Sequence, residues 1–549
     1  MAAVPETGEQ AAVHGGRLVA RALGSRGVDH LFTLSGGHLF SIYDGCRAEG
    51  IEIVDVRHEQ AAVWAAEGYA KATRRPGVAA LTAGPGVTNG MSAVAGALYN
   101  RSPVTVLGGR APEMRWGSGS LQEVDHVPFV APLVKSAETV KDPAQIAAVT
   151  AAAIDRSLAA PSGPTFVDYP LDVVFTEAAA AEIPPSTAGP GPEPEGLERA
   201  AELLAAAERP VIMAGTGLYW ERGEDQLRAL AEALGAPVFL NGMGRGCLPA
   251  DHELAFSRAR GHGLKQADVA LAIGLPLDFR LGFGGSFGEE TKLIWLDVAP
   301  NELRRNRKPE LELVGGIAPT LAAIREAAAS ADPARTRSWL EALRATETER
   351  REAERKDLED ERAPLHPMRV YKGLAEVLDR DAIVIGDGGD FVSYAGKVVE
   401  TFEPGCWMDP GPYGCLGAGP GQAIGAKLAR PDRQLCLLLG DGAFGFSGLE
   451  FDTMARHGIP VVGVVGNNGI WALEHHPMKF LYGYSVAAEL RPETRYDRVA
   501  EALGCHAELV TNPAELLPAL ERAFGSGRPA LVNVLTDPEV VYPRKSNLA

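Results

Sequence analysis

Short apolar runs alternate with stretches of helical periodicity along the whole chain, and most apolar runs end in a turn-forming cluster. "HLFTLSGG" and "GVAALTAGPGVTN" read as strands that end in glycine turns, with "EQAAVWAAEGYAKATR" as an amphipathic helix between them. "PVIMAGTGL", "DVALAIGLPL" and "KLIWLDVAP" are the strands of a middle region. "AIVIGDGGD", "QLCLLLGDG", "PVVGVVGNN" and "ALVNVLTDP" are those of the last. These runs are continuously apolar, as strands covered on both faces must be. Their alternation with helices predicts an α/β fold of three doubly wound parallel-sheet domains.

Two interruptions divide the pattern. Residues 183–196, "IPPSTAGPGPEPEG", are rich in Pro and Gly and read as a linker. Residues 346–363, "TETERREAERKDLEDERA", are almost all polar and read as a solvated helix that carries the chain between domains. The predicted segments are roughly 1–183, 190–345 and 364–549.

Bulk composition narrows the function. A chain of 549 residues exceeds one core. With Lys+Arg 53 against Asp+Glu 71 the net charge is −18, which argues against general nucleic-acid binding. The six Cys are scattered without a Cys-x-x-Cys pair, as in reduced cytosolic proteins. The N-terminal "MAAVPETGEQAAVHGG" shows no secretory pattern, and no apolar run reaches the roughly 18 residues of a membrane span. The C-terminal "PRKSNLA" is no peroxisomal tripeptide. A cytoplasmic protein is expected.

The chemistry concentrates where strands end. Gly440-Asp441-Gly442 closes one strand and Asn467-Asn468 closes the next, after 24 intervening residues. Asp441, Asn468 and the carbonyl of Ile470 are hard oxygen donors of the kind Mg²⁺ or Ca²⁺ takes. Gly440 and Gly442 let backbone approach a diphosphate. Alone, either motif is an ordinary turn.

The paired spacing resembles the cofactor motif of the thiamine-diphosphate (ThDP) dependent enzymes. The resemblance implies that Asp441, Asn468 and the Ile470 carbonyl hold Mg²⁺ against the cofactor's diphosphate. It also implies a Glu that hydrogen-bonds the aminopyrimidine ring, and "VDVRHEQAAVWAAEGYA" offers Glu59. In "PGPYGCLGAGPGQAIGAKLA", Leu416 takes the place of the residue wedged under the cofactor, where many relatives have Met. The Gly414 carbonyl and the Leu416 N–H would meet the pyrimidine.

Similarity extends along the chain through "LSGGHLFSIYD", "TAGPGVTNG", "SPVTVLGGR", "SLQEVDH" and "GPTFVDYPLDV". These recur in this order in acetolactate synthases, oxalyl-CoA decarboxylases and 2-hydroxyacyl-CoA lyases. By the same resemblance Gln122, His38 and Glu493 are candidate catalytic residues; His126, His475 and His476 have lesser claims. Arg280 and Asp297 are candidates for a nucleotide in the central domain, ADP or alternatively FAD.

After Asn468, "GIWALEHHPMKFLYGYS" lacks the acetolactate synthase pattern "EEQGMV.QWQ". Tyr482 and the basic tail Arg544, Lys545 and Ser546 match positions that cover substrate in the CoA-using relatives. The expectation is therefore a ThDP- and Mg²⁺-dependent 2-hydroxyacyl-CoA lyase. It would release formyl-CoA and a ketone or aldehyde, with 2-hydroxyisobutyryl-CoA as one substrate its pocket would take. The alternative is acetolactate synthase, joining two pyruvates with loss of CO₂. Intact Glu59, Asp441 and Asn468 argue against a non-catalytic regulatory relative. The family's shared sites imply a homodimer or homotetramer with no nucleic-acid or membrane partner.

Overall fold

The computed structural model describes residues 12–179, 181–186, 194–301, 303 and 305–543. A short antiparallel ribbon pairs β1 (Val13–His14) with β8 (Glu177–Ala178). All other strands lie in three parallel sheets.

The first sheet holds β2 (His30–Thr33), β3 (Glu52–Asp55), β4 (Gly77–Leu81), β5 (Val104–Arg110), β6 (Ala137–Thr139) and β7 (Thr165–Pro170), in the order β3-β2-β4-β5-β7-β6. The second holds β9 (Pro210–Ala214), β10 (Val238–Leu240), β11 (Val269–Ile273), β12 (Lys292–Asp297) and β13 (Leu311–Val314), ordered β10-β9-β11-β12-β13. The third holds β14 (Ile383–Asp387), β15 (Trp407–Met408), β16 (Leu435–Gly440), β17 (Val462–Asn467), β18 (His506–Val510) and β19 (Ala530–Leu535), ordered β15-β14-β16-β17-β19-β18. The three doubly wound parallel sheets expected from the apolar runs are thus observed. β4, β5 and β7 are buried at every position, which is why their sequences do not alternate.

Strand order reverses between β2 and β4, between β9 and β11, and between β14 and β16, and again at the edge pairs β7-β6 and β19-β18. Crevices at such reversals, beyond the carboxyl ends of the strands, are where open α/β sheets bind ligands.

The chain divides into two units. One takes the described residues within 1–189 with 412–429 and 452–457; the other takes the described residues within 190–411, with 430–451 and the described residues from 458 on. In the first unit the helix Glu59–Thr73 lies against the helix Ala418–Ala429 with almost no side chain between them. A Cβ on Gly425 would fall 1.8 Å from the Ala65 carbonyl oxygen, and one on Gly68 2.1 Å from that of Gln422. Inside this contact Glu67 is fully buried. It accepts from Asn100 and Ser102 at 2.9 Å and from Gln422 at 2.8 Å, beside the Lys71 ammonium at 3.2 Å.

Two local readings change. "GVAALTAGPGVTN" is a strand only to Leu81, and Pro85–Asn89 turns helical. Pro at the first helical position and the glycine turn before it divide the run. The polar helix spans Arg337–Leu358 and is not wholly solvated: Trp339, Leu340 and Leu343 are buried, and buried Glu354 pairs with Arg258 at 3.2 Å. No described helix is long and apolar enough to cross a membrane. None of the six cysteines forms a disulfide.

Candidate active site

In the second unit the reversal between β14 and β16 carries two similar turns, Gly386-Asp387-Gly388 and Gly440-Asp441-Gly442. Asp441 is 3% exposed. Its Oδ1 accepts the Gly442 N–H at 3.0 Å and its Oδ2 the Gly469 N–H at 2.9 Å. A Cβ on Gly442 would sit 2.5 Å from the Trp471 ring, so the turn admits no side chain.

The third strand end is clamped. Trp471 N–H donates to the Ala488 carbonyl and Leu490 N–H to that of Gly469, each at 2.8 Å. Asn467 Nδ2 donates to the Thr494 carbonyl at 2.9 Å. Asn468 Oδ1 accepts the Ile470 N–H at 3.2 Å. No described hydrogen bond uses the Ile470 carbonyl, whose neighbours on the strand face the clamp.

A second acid, Asp390, is 7% exposed and hydrogen-bonds the Asn468 side chain. Burial, with the Asp390 charge adding to it, pushes the Asp441 carboxyl up to about 7. Asp390 is raised as well, by burial and by the charge of Glu474. Two buried carboxyls that resist ionisation, beside an amide oxygen and an unused carbonyl, are an environment a divalent cation would neutralise. The donor set fits Mg²⁺, and the glycine turns fit a diphosphate.

In the first unit the reversal between β2 and β4 brings other candidates together. His38, 8% exposed, lies on the turn Gly37–Leu39 with Nδ1 3.2 Å from Thr82 Oγ1. Burial holds its pKa below the ordinary value. Glu59 opens its helix half-buried, and its Oε2 accepts from Asn89 Nδ2 at 3.0 Å. Gln122 adopts a left-handed φ of 60° against the Gly84 loop. Gly414, with φ 68°, and half-buried Leu416 lead into the helix Ala418–Ala429.

Other expected residues are placed less suggestively. Arg280 forks onto Asp278 through contacts of 2.7–3.1 Å, so its guanidinium is already engaged. Asp297 is buried at the end of β12, with Oδ1 accepting the Val298 N–H at 2.7 Å. Glu493 is exposed with φ 53°, on a loop whose Pro492 packs on Gly469. Tyr482, 67% exposed, ends the helix Ala472–Tyr482. Arg544, Lys545 and Ser546 lie outside the described residues.

Comparison with known proteins gives the family. Family models for the N-terminal, central and C-terminal domains of thiamine pyrophosphate enzymes match residues 13–129, 197–324 and 387–534. The chain belongs to the thiamine pyrophosphate enzymes. A ThDP-dependent enzyme is what this family membership makes it. Along 99% of its length it is 57% identical to a probable acetolactate synthase of Mycobacterium bovis and to an acetolactate synthase large subunit of Mycobacterium tuberculosis, covering all of each. It is 35% identical to a 2-hydroxyacyl-CoA lyase 2 of Caenorhabditis elegans, over 96% of this chain and 90% of that one.

These identities overturn the expected 2-hydroxyacyl-CoA lyase and favour its alternative. The lyase reading leaned on the divergence after Asn468. That divergence falls on the helix Ala472–Tyr482, where Phe480 is 89% exposed and Tyr482 67%. The 57% identity to proteins named acetolactate synthase runs over 99% of this thiamine pyrophosphate enzyme and outweighs the pattern of one segment.

Sequence reasoning also missed Asp390, Asn89 and the burial of His126 against Asp168. For Asp390 a signal was present, since "GDGG" at the end of β14 echoes "GDG" at the end of β16. The others are side-chain meetings between distant segments.

Proposed function

We propose that this enzyme is an acetolactate synthase: two pyruvate ions and a proton give one acetolactate ion and CO₂. The observation that carries the reading is 57% identity to proteins of that name over the whole chain. The candidate site residues Glu59, Asp441, Asn468 and Leu416 are all present.

When bound, ThDP supplies the electron sink for the carbon–carbon bonds that break and form. The chain's own groups bind and orient it. Asp441, Asn468 and the Ile470 carbonyl hold Mg²⁺, and Gly440 and Gly442 admit the diphosphate. Gly414 and Leu416 seat the pyrimidine, with Leu416 as the wedge. Glu59, fixed by Asn89, moves a proton at the aminopyrimidine. Gln122 and the His38 loop would face the cofactor's reacting end, and the Glu493 loop would cover it.

Glu59 and the Asp441 turn serve one site from two copies of the chain, in a homodimer or homotetramer. A nucleotide, ADP or alternatively FAD, sits in the central domain by the Gly215-Thr216-Gly217 turn and Asp297. There Gly217 N–H donates to the Gly274 carbonyl at 2.7 Å, leaving no room for a side chain at either glycine. A phosphate reaching Arg280 would compete with Asp278.

The test is product analysis on purified protein with ThDP, Mg²⁺ and pyruvate. Acetolactate and CO₂ in equal amounts are expected. Untouched pyruvate, with turnover of a 2-hydroxyacyl-CoA thioester in a parallel tube, would overturn the reading. Absorbance near 450 nm of protein as purified distinguishes FAD from ADP.

A further inference from the structure

A buried ionic cluster lies behind the first unit's candidate loops and has no role in the reading above. Asp168 on β7 is fully buried, as is His126 at the start of the short helix His126–Val130. His126 Nδ1 lies 2.9 Å from Asp168 Oδ2, and His126 Nε2 accepts the Gly84 N–H at 2.9 Å. A backbone N–H can only donate, so Nε2 carries the lone pair and Nδ1 the hydrogen. The ring is therefore neutral and donates to the carboxylate. Arg110 lies 3.2 Å from the same Oδ2 and 3.0 Å from Asp125, with its guanidinium over the Trp116 ring at 3.9 Å. The Phe166 ring edge and His38 complete the surroundings of the imidazole.

Gly84 is where this cluster meets the site. Its φ is 61°, and a Cβ there would fall 2.9 Å from Gln122 Cβ and 3.1 Å from the Gln122 carbonyl oxygen. Gln122 is itself left-handed, a conformation that persists only where neighbours enforce it. The helix Pro85–Asn89 starts directly after Gly84 and ends in the residue that donates to Glu59. One hydrogen bond to Gly84 thus stands at the root of both arms.

We propose that His126, held in one tautomer by Asp168, is a positioning residue that sets Glu59 and Gln122 through Gly84. The proposal rests on the reading that Glu59 serves the cofactor. Without His126 the Gly84 N–H loses its acceptor, and the two arms lose their common anchor.

The experiment uses the full-length protein and the variants His126→Ala, His126→Gln, Asn89→Ala and the double His126→Ala/Asn89→Ala. Gln can turn its N–H to Asp168 and its oxygen to Gly84. Hydrogen exchange read by mass spectrometry should accelerate about tenfold across residues 82–90 in His126→Ala, the loss of one hydrogen bond, and recover in His126→Gln. Deuterium exchange at C2 of added ThDP, quenched and read by NMR, needs no substrate. It should fall about tenfold in His126→Ala and in Asn89→Ala, and no further in the double variant. Unchanged amide exchange in His126→Ala overturns the proposal. So does normal C2 exchange below the melting temperature, which marks a merely structural histidine, and so do additive losses in the double variant. If the wild type exchanges C2 but leaves pyruvate intact, the acetolactate reading has failed and the positioning result still stands.

Discussion

Stripping divalent ions should leave the protein with a penalty that depends on pH in a sign opposite to most carboxylates. Burial raises Asp441 from its ordinary 3.8 to about 7. The protonated form is the one the fold tolerates, so the penalty is absent below pH ~4, grows as pH rises and is complete above pH ~7. Three pKa units at 1.36 kcal/mol each give about 4 kcal/mol as the upper bound. At roughly 2 °C per kcal/mol in a unit of this size, that is up to about 8 °C in Tm. Other carboxylates titrate in the same window, so the readable quantity is a difference. Tm is measured by scanning fluorimetry with chelator from pH 5 to 8, for the wild type and Asp441→Asn. The wild type should lose several degrees relative to the variant as pH rises. Mg²⁺ at pH 8 should return them to the wild type alone, since ligand binding to the folded state stabilises it by mass action. A flat difference curve, or equal Mg²⁺ responses, would refute the argument that Asp441 is a buried carboxylate awaiting a cation.

Three further outcomes follow from the geometry. Glu59→Gln should reduce turnover by about 10²–10⁴, the usual worth of a positioned proton donor, while ThDP affinity by fluorescence titration stays within a few-fold. Gly425→Ala places a methyl 1.8 Å from a backbone oxygen that cannot move alone, and denaturant unfolding should register a loss of about 3 kcal/mol, the cost of forced overpacking. Glu67→Ala removes the carboxylate beside the buried Lys71 ammonium and the shared acceptor of Asn100, Ser102 and Gln422. Its cost should be about 3–5 kcal/mol, with Glu67→Gln much milder.

All three parallel sheets, and the strand ends near Glu59, Asp441 and Asn468, were legible in the chain. Parallel strands buried on both faces must be continuously apolar, and ligand loops at their carboxyl ends must carry glycine and oxygen donors. These are local requirements, so local sequence meets them visibly. Resemblance of those motifs was enough to name the cofactor class, yet it misdirected the choice within the family. One segment after Asn468 pointed to a lyase, while identity over the whole chain favours acetolactate synthase.

Only the tertiary structure decided which side chains meet. Asp390 and Asp441 are 51 positions apart, and their mutual charge exists because strand order reverses between β14 and β16. Asn89 reaches Glu59 across 30 positions, and His126 reaches Asp168 and Gly84 across 42 each. Burial is the physical reason for the division. A sequence states which groups a segment carries, but whether a carboxylate is hydrated or faces another in a dry crevice depends on what distant segments cover it.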